Sequence, residues 1–194
     1  MAEIPSFAAI LDDIWSRLAA ACDQASLAWG VPVLSTVAGS GPAARSVVLR
    51  RIDREKCQLF AYTDARSPKC TQLAENSQAI WTFYDPADRV QLIARTQVSL
   101  LRDEPLVDEC WNGSRPESLH CYLGEHAPGT AIEHPRQFSG PEPTLTELAG
   151  GRPNFVVLQA QILQLDWLAL RRSGNLRARF SGEPADWHAE WLMP

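Results

Sequence analysis

The sequence predicts a mainly β protein, built as an antiparallel barrel with peripheral helices. About six segments have strand-like patterning, and short turns rich in Gly, Pro, Asp and Asn separate most of them. Only one short helical segment lies among these strands, at about residues 67–75. Parallel neighbours need a long crossover, usually a helix, so this order favours antiparallel pairing. Closing the sheet into a barrel would remove its exposed edges.

Composition limits the function classes. The 194 residues are 45% hydrophobic and 21% charged, as in an ordinary globular domain. A net charge of -5 argues against a general nucleic-acid or anionic-membrane partner, because both need a basic surface. No apolar run approaches the roughly 20 residues that span a bilayer. We predict one domain over residues 1–194, with an N-terminal helix at about 6–22 and a C-terminal β-hairpin segment at about 154–194.

Cysteine and histidine usage points to a reduced protein without a metal. The five cysteines are odd in number, scattered and without a CxxC motif, which fits free thiols in a cytoplasm. The N-terminus has no basic flank before an apolar run, so a secretory signal is not expected. The four histidines match no zinc spacing.

Helical spacing is clearest near the N-terminus, where Phe7, Ile10, Ile14 and Leu18 recur on one face after a candidate N-cap, Ser6. The next predicted elements, in order, are strands at 31–38 and 43–52 joined by a Gly-Ser-Gly-Pro turn, a strand at 58–63, a helix at 67–75, and strands at 78–84 and 89–101.

The second half is predicted to begin with a helical segment at 104–123, broken at Ser114-Arg115-Pro116. A polar loop rich in Gly, Pro and His follows at 124–143, and its composition is typical of a loop that covers another part of a protein. The remaining predicted elements are a short helix at 144–148 and strands at 154–170, 176–180 and 187–192.

Basic and hydroxyl side chains cluster between residues 45 and 69. Arg45, Arg50 and Lys69 can supply charge-assisted hydrogen bonds to a phosphate, and a helix beginning at Ser67-Pro68 offers free N–H groups. Ser67 has the hydroxyl of an N-cap, and Pro68 suits the first helical position. The alternative is a solvated strand face followed by an ordinary helix start, and spacing alone leaves both open.

A second basic and aromatic cluster lies near the C-terminus, where Trp167 precedes Arg171, Arg172, Arg177 and Arg179. It suits a flat anionic ligand, or it is a solvated hairpin with one packed indole. The chain has no Gly-x-Ser-x-Gly, P-loop or Gly-x-Gly-x-x-Gly motif, so nucleophilic hydrolysis, nucleoside triphosphate use and Rossmann-type binding lack their usual signatures.

Several motifs in order resemble the pyridoxamine 5'-phosphate oxidase family of FMN-binding split barrels. They are Arg45-Ser-Val-Val-Leu-Arg50, Phe60-Ala-Tyr-Thr-Asp64, Ser67-Pro-Lys69, Arg89-Val-Gln91, Ser114-Arg-Pro116 and, near the end, Leu176-Arg-Ala-Arg-Phe180. The resemblance implies a six-stranded, Greek-key split barrel and a homodimer with FMN at the subunit interface.

Cofactor and substrate roles follow from the same resemblance. The positions that match FMN contacts are Arg45, Ser46, Val47, Val48, Leu49, Arg50, Tyr62, Thr63, Ser67, Lys69, Gln91 and Arg179. Ser67 and Lys69 match phosphate contacts, whereas Gln91 matches a hydrogen bond to the isoalloxazine ring. Trp111, Arg115 and Arg177 are the candidates for contacting a substrate.

Two departures from the family pattern affect the substrate and the phosphate site. Pro68 replaces a phosphate-binding arginine, and Arg66 is a candidate to compensate for it. The C-terminal Arg-x-His-x-Arg becomes Asn175-Leu-Arg177-Ala-Arg179, which loses the first arginine and the histidine that handle pyridoxamine phosphate.

The sequence therefore predicts an FMN-dependent oxidoreductase that acts on a small molecule of unidentified structure. One alternative is a flavin carrier or sensor without turnover. Another is a related barrel that binds haem or a deazaflavin. No residue is predicted as a general acid or base.

Overall fold

The computed structural model describes residues 4–39, 41–134, 143–183 and 186–194. In these ranges, nine strands form one antiparallel sheet, and five α-helices lie around it. The helices are α1 Phe7–Asp23, α2 Pro68–Glu75, α3 Pro105–Asn112, α4 Pro116–Leu119 and α5 Leu145–Ala149. The strands are β1 Val33–Ala38, β2 Gly41–Ser46, β3 Arg51–Asp53, β4 Gln58–Asp64, β5 Gln78–Asp85, β6 Val90–Leu101, β7 Phe155–Ala169, β8 Leu176–Glu183 and β9 Asp186–Leu192.

The N-terminal helix forms as its pattern predicts. Ser6 stands at the N-cap position, and its side-chain oxygen accepts a hydrogen bond from the Ala9 N–H at 3.2 Å. The stripe that includes Ile10, Ile14 and Leu18 is buried in the main core. None of the described helices is long and apolar enough to cross a membrane.

The strands are ordered β2-β1-β5-β6-β7-β4-β3. Strand β7 has 15 residues, long enough to pair with β4 along its first half and with β8 along its second half. Strand β9 extends the sheet beyond β8. The predicted mainly β, antiparallel fold with peripheral helices is confirmed.

Two details need correction, since in the described ranges the sheet has nine strands rather than the six that the resemblance implied, and its ladder does not close into the predicted barrel. The predicted strand at 43–52 is two strands, β2 and β3, which lie at opposite ends of the sheet. The backbone bends between them. The Val47 and Leu49 N–H groups donate to Pro32 and Gly30 carbonyls beside β1, whereas the Arg50 N–H donates to the Phe60 carbonyl on β4. One chain segment therefore bridges the two ends of the curled sheet.

Most of β4 and the first four residues of β7 are buried on both faces, and apolar residues predominate there. The main core fills the inside of the curled sheet and includes Trp81, Phe83 and Leu158. A second cluster packs under α3 on the outer face, with Phe60 and Phe155 among its members. Both the bridge at 47–50 and the end of β4 are held by this packing, and both carry the residues considered next.

Candidate functional site

Two basic side chains meet at one end of the sheet, beside α2. Arg45 projects from β2, and its guanidinium donates to Thr36 Oγ1 at 2.6 Å and to Gln72 Oε1 at 2.8 Å. Thr36 Oγ1 in turn donates to Gln72 Oε1 at 2.7 Å. Arg45 is therefore held in place by β1 and α2 together.

Lys69 approaches the same place from the first turn of α2. Its Nζ donates to Thr63 Oγ1 and to Ser67 Oγ, both at 3.0 Å. The Ser67 residue occupies the predicted N-cap position, but its side chain makes no capping hydrogen bond, because its hydroxyl accepts from Lys69 instead. We call the group formed by Arg45, Thr63, Ser67 and Lys69 the cradle.

The cradle has an excess of positive charge. In the described ranges, neither Arg45 nor Lys69 forms an ion pair with a carboxylate. Burial lowers the pKa of Lys69, and the positive charge of Arg45 lowers it further, while Cys70 and Asp64 act in the opposite direction. Burial also lowers the pKa of Arg45. Two partly buried cations that form no ion pair with a carboxylate in the described ranges are a charge arrangement that a phosphate would neutralise.

Arg66 does not contribute to the cradle. Its guanidinium forms a two-pronged pair with Asp64, with Nε to Oδ1 at 3.0 Å and Nη2 to Oδ2 at 2.7 Å. Its remaining Nη1 donates to the Gly124 carbonyl at 2.7 Å. The guanidinium is thus already bonded to protein acceptors, which argues against its replacing the arginine that Pro68 displaces.

The bridge between β2 and β3 presents different groups on its two sides. Val47 and Leu49 are in the core, so their side chains are directed away from any ligand outside the sheet. Ser46 is exposed and Val48 is half-buried. Of these four predicted FMN contacts, Val47 and Leu49 can contribute only through their main chains.

A pocket of about 460 Å³ lies on the other side of this bridge, between the C-terminal end of α1, β4 and α3. We call it the side pocket. Its basic residues are Arg50, Arg51 and Arg115, and Arg51 is paired with Glu109 at 2.8 Å. Neither Arg50 nor Arg115 has an ion-pair partner in the part of the chain that the structure describes. The side pocket therefore has two cations available to an anion.

Tyr62 and Thr63 lie on opposite faces of β4, because successive strand side chains alternate. Thr63 belongs to the cradle, whereas Tyr62 lines the side pocket with the Arg50 guanidinium 5.9 Å from its ring centroid. Burial, and then a hydrogen bond with Cys110, raises the pKa of the Tyr62 hydroxyl. Burial raises the pKa of Cys22, another lining residue, to about 11, so its thiol stays protonated and is a poor nucleophile at neutral pH.

Trp111 does not line the side pocket. Its ring packs edge-on against Phe155 and Tyr122, with centroid separations of 5.2 and 5.9 Å. The structure thus places this predicted substrate residue in the second apolar cluster, next to the pocket wall. Of the three predicted substrate residues, Arg115 alone lines the pocket.

Gln91, Arg177 and Arg179 form a separate group toward the other end of the sheet. Gln91 on β6 is opposite Leu168 on β7, and Leu168 is opposite Arg177 on β8. Gln91, Leu168 and Arg177 therefore lie on one row across the sheet. Thr36, which holds Arg45, lies on the row of Ala79 and Thr96. Five residues of β6 separate the two rows, or about 17 Å at the usual strand rise of about 3.3 Å per residue.

The arginines of this second group are paired. Arg177 donates to both carboxylate oxygens of Asp166, at 2.9 and 2.8 Å. Arg179 lies 3.5 Å from Glu190, while its Nε is buried and lacks a hydrogen-bond partner in the described ranges. These predicted cofactor and substrate residues thus lie on β6 and β8, whereas the cradle cations lie on β2 and α2.

Sequence reasoning missed Thr36 and Gln72, which position Arg45, and the pair Arg51 and Glu109 at the side pocket. The hairpin register offered a signal for Thr36, because Arg45 is opposite Leu34 and Thr36 follows on the same face. Gln72 lies one turn after Lys69 on α2, so helical spacing was the signal there. Among the described residues, no group of three His, Cys, Asp or Glu side chains is arranged to hold a metal.

Fold and site together define a class: an antiparallel, mainly β protein with peripheral helices and a cluster of unneutralised cations at one end of its sheet. Residues 13–101 match the family model for the pyridoxamine 5'-phosphate oxidase FMN-binding domain. This match confirms, for residues 13–101, the family resemblance predicted from the motifs. No curated protein sequence matches the chain.

Solved structures share the fold at low sequence identity. A pyridoxamine 5'-phosphate oxidase-related, FMN binding protein from Nostoc punctiforme is 22% identical with a TM-score of 0.74, and the match covers 100% of this chain and 99% of that chain. PhzG from Burkholderia lata, in complex with tetrahydrophenazine-1-carboxylic acid, is 19% identical with a TM-score of 0.69, covering 94% and 92%. General Stress Protein 26 from Bacillus anthracis is 16% identical with a TM-score of 0.52, covering 81% and 92%.

Proposed function

We propose that the chain binds FMN and holds its phosphate in the cradle. The observation that carries this proposal is the pair of cations, Arg45 and Lys69, that no carboxylate neutralises in the described ranges. A phosphate offers the acceptors that a guanidinium, an ammonium and two hydroxyls can reach together. The residues present therefore fit the tail of FMN, and the family match over residues 13–101 supports the same cofactor.

We propose further that two copies of the chain complete the site. Gln91 on β6 and Arg179 on β8 lie three and five strands along the sheet from β2, which carries Arg45. A two-fold pairing of the outer sheet faces would place one copy's second group near the other copy's cradle. Apolar side chains that this face exposes, including Val37 and Leu163 at 48% and 46%, support such a contact.

The proposed activity is that of an FMN-dependent oxidoreductase, located in the cytoplasm. When bound, FMN supplies hydride or electron transfer at its ring. The cradle fixes the tail, Gln91 donates to the ring, and Arg50 and Arg115 receive an anionic small molecule in the side pocket. The ligand of PhzG is a carboxylic acid. A carboxylate suits two guanidinium groups as well as a phosphate does, so planar acids of both kinds are the substrates to test.

One observation favours a second candidate, a flavin carrier or sensor without turnover. The positions that match the family's substrate-handling Arg and His have structural bonds here, since Asn175 accepts from the Arg171 N–H and Arg177 pairs with Asp166. These residues are thereby less free to bind pyridoxamine phosphate. The same observation is consistent with an oxidoreductase that acts on a different substrate.

Spectra and titrations separate the candidates. Purified protein should show oxidised flavin bands, and apoprotein should bind FMN at least 100-fold more tightly than riboflavin, which lacks the phosphate. Equal affinity for FMN and riboflavin would refute the cradle as the phosphate site. Bleaching by pyridoxamine phosphate, a planar carboxylic acid or NAD(P)H without oxygen supports an enzyme, whereas flavin that no donor reduces favours a carrier. A Soret band or deazaflavin absorption would instead identify a related barrel that binds haem or a deazaflavin.

Sedimentation tests the proposed assembly. A dimer is expected at micromolar concentration, and replacing Val37 and Leu163 with Asp should give monomers that bind FMN weakly. Monomers of the unaltered protein that bind FMN with full affinity would show that one chain is sufficient.

A further inference from the structure

The segment at residues 124–130 lies directly beside the cradle. It follows the short helical region that ends at Tyr122, and it turns back through Gly129, whose φ of +90° is in the left-handed region. A Cβ at Gly129 would lie 3.9 Å from Pro68 Cγ, which is ordinary van der Waals contact. Pro68 separates Ser67 from Lys69, so this segment packs next to two of the four cradle residues.

A buried ion pair connects the cradle side to this segment. Asp64, at the end of β4, is 6% exposed and accepts from the Arg66 backbone N–H, Nε and Nη2. Three hydrogen bonds to one carboxylate fix the direction of the guanidinium. The Arg66 Nη1 then donates to the carbonyl of Gly124, the first residue of the segment, at 2.7 Å.

The chain just before the segment is attached separately. Asn154 donates from Nδ2 to the Tyr122 carbonyl at 2.8 Å and accepts from the Ala65 N–H at 2.7 Å. Loss of the Arg66 side chain would therefore leave the residues up to Tyr122 in place. Its effect would be concentrated after Tyr122, where the segment runs toward Pro68.

We infer that Arg66 is a positioning residue that, oriented by Asp64, holds residues 124–130 against the start of α2 and so slows the release of a phosphate from the cradle. Arg66 itself contacts no ligand in this role. The inference rests on the proposed FMN site, and it assigns a function to the one arginine of this region whose charge is already neutralised.

The rival role for Arg66 is direct phosphate binding, and two variants separate the roles. Asp64→Asn removes the charged partner and leaves Arg66 free to turn toward a phosphate. Direct binding predicts that FMN then leaves at the same rate or more slowly. The positioning role predicts that Asp64→Asn and Arg66→Ala both speed FMN dissociation by about tenfold. Each variant loses a charge-assisted hydrogen bond in the series that links Asp64, Arg66 and Gly124.

The experiment measures FMN dissociation by stopped flow and hydrogen exchange of residues 124–130 in the apoprotein. Both variants should exchange faster in that segment, and Arg66→Lys should restore part of the protection. Arg152→Ala is the matched control, because Arg152 also bonds one aspartate, Asp108, and one carbonyl, that of Arg102. It should change neither measurement.

The outcomes are distinct. Unchanged exchange of residues 124–130 in both variants would overturn the positioning role, as would slower FMN release from Asp64→Asn. If the unaltered protein binds no FMN, the proposed function fails, and exchange in the apoprotein still decides whether Arg66 holds the segment. If Asp64→Asn does not fold, Arg66→Ala and Arg66→Lys carry the comparison.

Discussion

Two basic regions lie toward opposite ends of the sheet, and they differ in how their cations are neutralised. In the cradle, the partners of Arg45 and Lys69 among the described residues are hydroxyl, amide and carbonyl oxygens. In the C-terminal hairpin, Arg177 is paired with Asp166, and Arg179 approaches Glu190. Holding a cation near another cation without an anion is unfavourable in the free protein. In the described ranges, the cradle cations therefore lack the carboxylate partners that the hairpin arginines have.

The sharpest test of this comparison removes both cradle cations. Arg45→Ala/Lys69→Ala should weaken FMN binding by roughly two to four decades, since each charged contact contributes about 1.5–3 kcal/mol. Thermal unfolding of the apoprotein should change less than FMN binding does, because relief of the repulsion between the two cations offsets part of the loss of their hydrogen bonds. The measurement is FMN titration of apoprotein by flavin fluorescence.

The matched control is Arg54→Ala/Lys56→Ala, which removes the same net charge from exposed positions. It should leave FMN affinity within about twofold, since distant surface charges are screened. Full FMN affinity in the cradle variant would contradict the site assignment and with it the contrast between the two regions.

The side pocket offers a second comparison between an unpaired and a paired arginine, here within one pocket. Arg115→Ala should weaken the binding of pyridoxamine 5'-phosphate or a planar carboxylate by about tenfold, because an unpaired guanidinium is removed. Arg51→Ala, in the same pocket, removes a guanidinium already paired with Glu109 and should cost about twofold or less. Both values come from ligand-induced changes in the flavin spectrum. Equal losses in the two variants would show that pairing does not decide which arginine binds the anion.

Much of this organisation was predictable from local patterns. The N-terminal helix followed from the spacing of Ile10, Ile14 and Leu18, and the positions of Ser67 and Lys69 followed from the predicted helix start. Each of these depends on residues close in sequence or on one hairpin. Spacing along a single helix or strand is sufficient to place such groups.

What the sequence did not reveal depends on register and tertiary packing. The bend at residues 47–50 arises because Val47 and Leu49 bond toward β1 while Arg50 bonds toward β4. The pairing of Arg177 with Asp166 requires the β7–β8 register, which a hydrophobic pattern alone leaves open. For the same reason, the five-residue offset along β6 between Gln91 and the row of Thr36 was not apparent from motif order.

In the hairpin, the expected effect is on stability. Arg177→Ala leaves the mostly buried Asp166 carboxylate without its partner and should lower the free energy of unfolding by about 1–2 kcal/mol, a value reduced because Arg177 is itself about a third exposed. Asp166→Asn/Arg177→Ala should cost less than the sum of the single changes. Arg172→Ala, at an exposed neighbouring position, should change the free energy of unfolding, measured by denaturant titration, by less than about 0.5 kcal/mol, the usual limit for surface positions. Additive single changes would show that the pair contributes nothing to stability.

The smallest expected effect concerns Gln91, which lies with the hairpin arginines in sequence register but is predicted to serve the flavin ring. Gln91→Leu removes one hydrogen bond of about 1 kcal/mol, and a hydrogen bond to the ring stabilises its electron-rich reduced form. The two-electron potential should therefore fall by about 20 mV, since about 30 mV corresponds to 1.4 kcal/mol, while FMN affinity stays within about fivefold. Gln97→Leu, at the other end of β6, is the matched control and should leave the potential unchanged. An unaltered potential in Gln91→Leu would show that Gln91 does not contact the flavin ring. The ligand-binding region would then include β2 but not β6, and the proposed second copy would not be needed to complete the site.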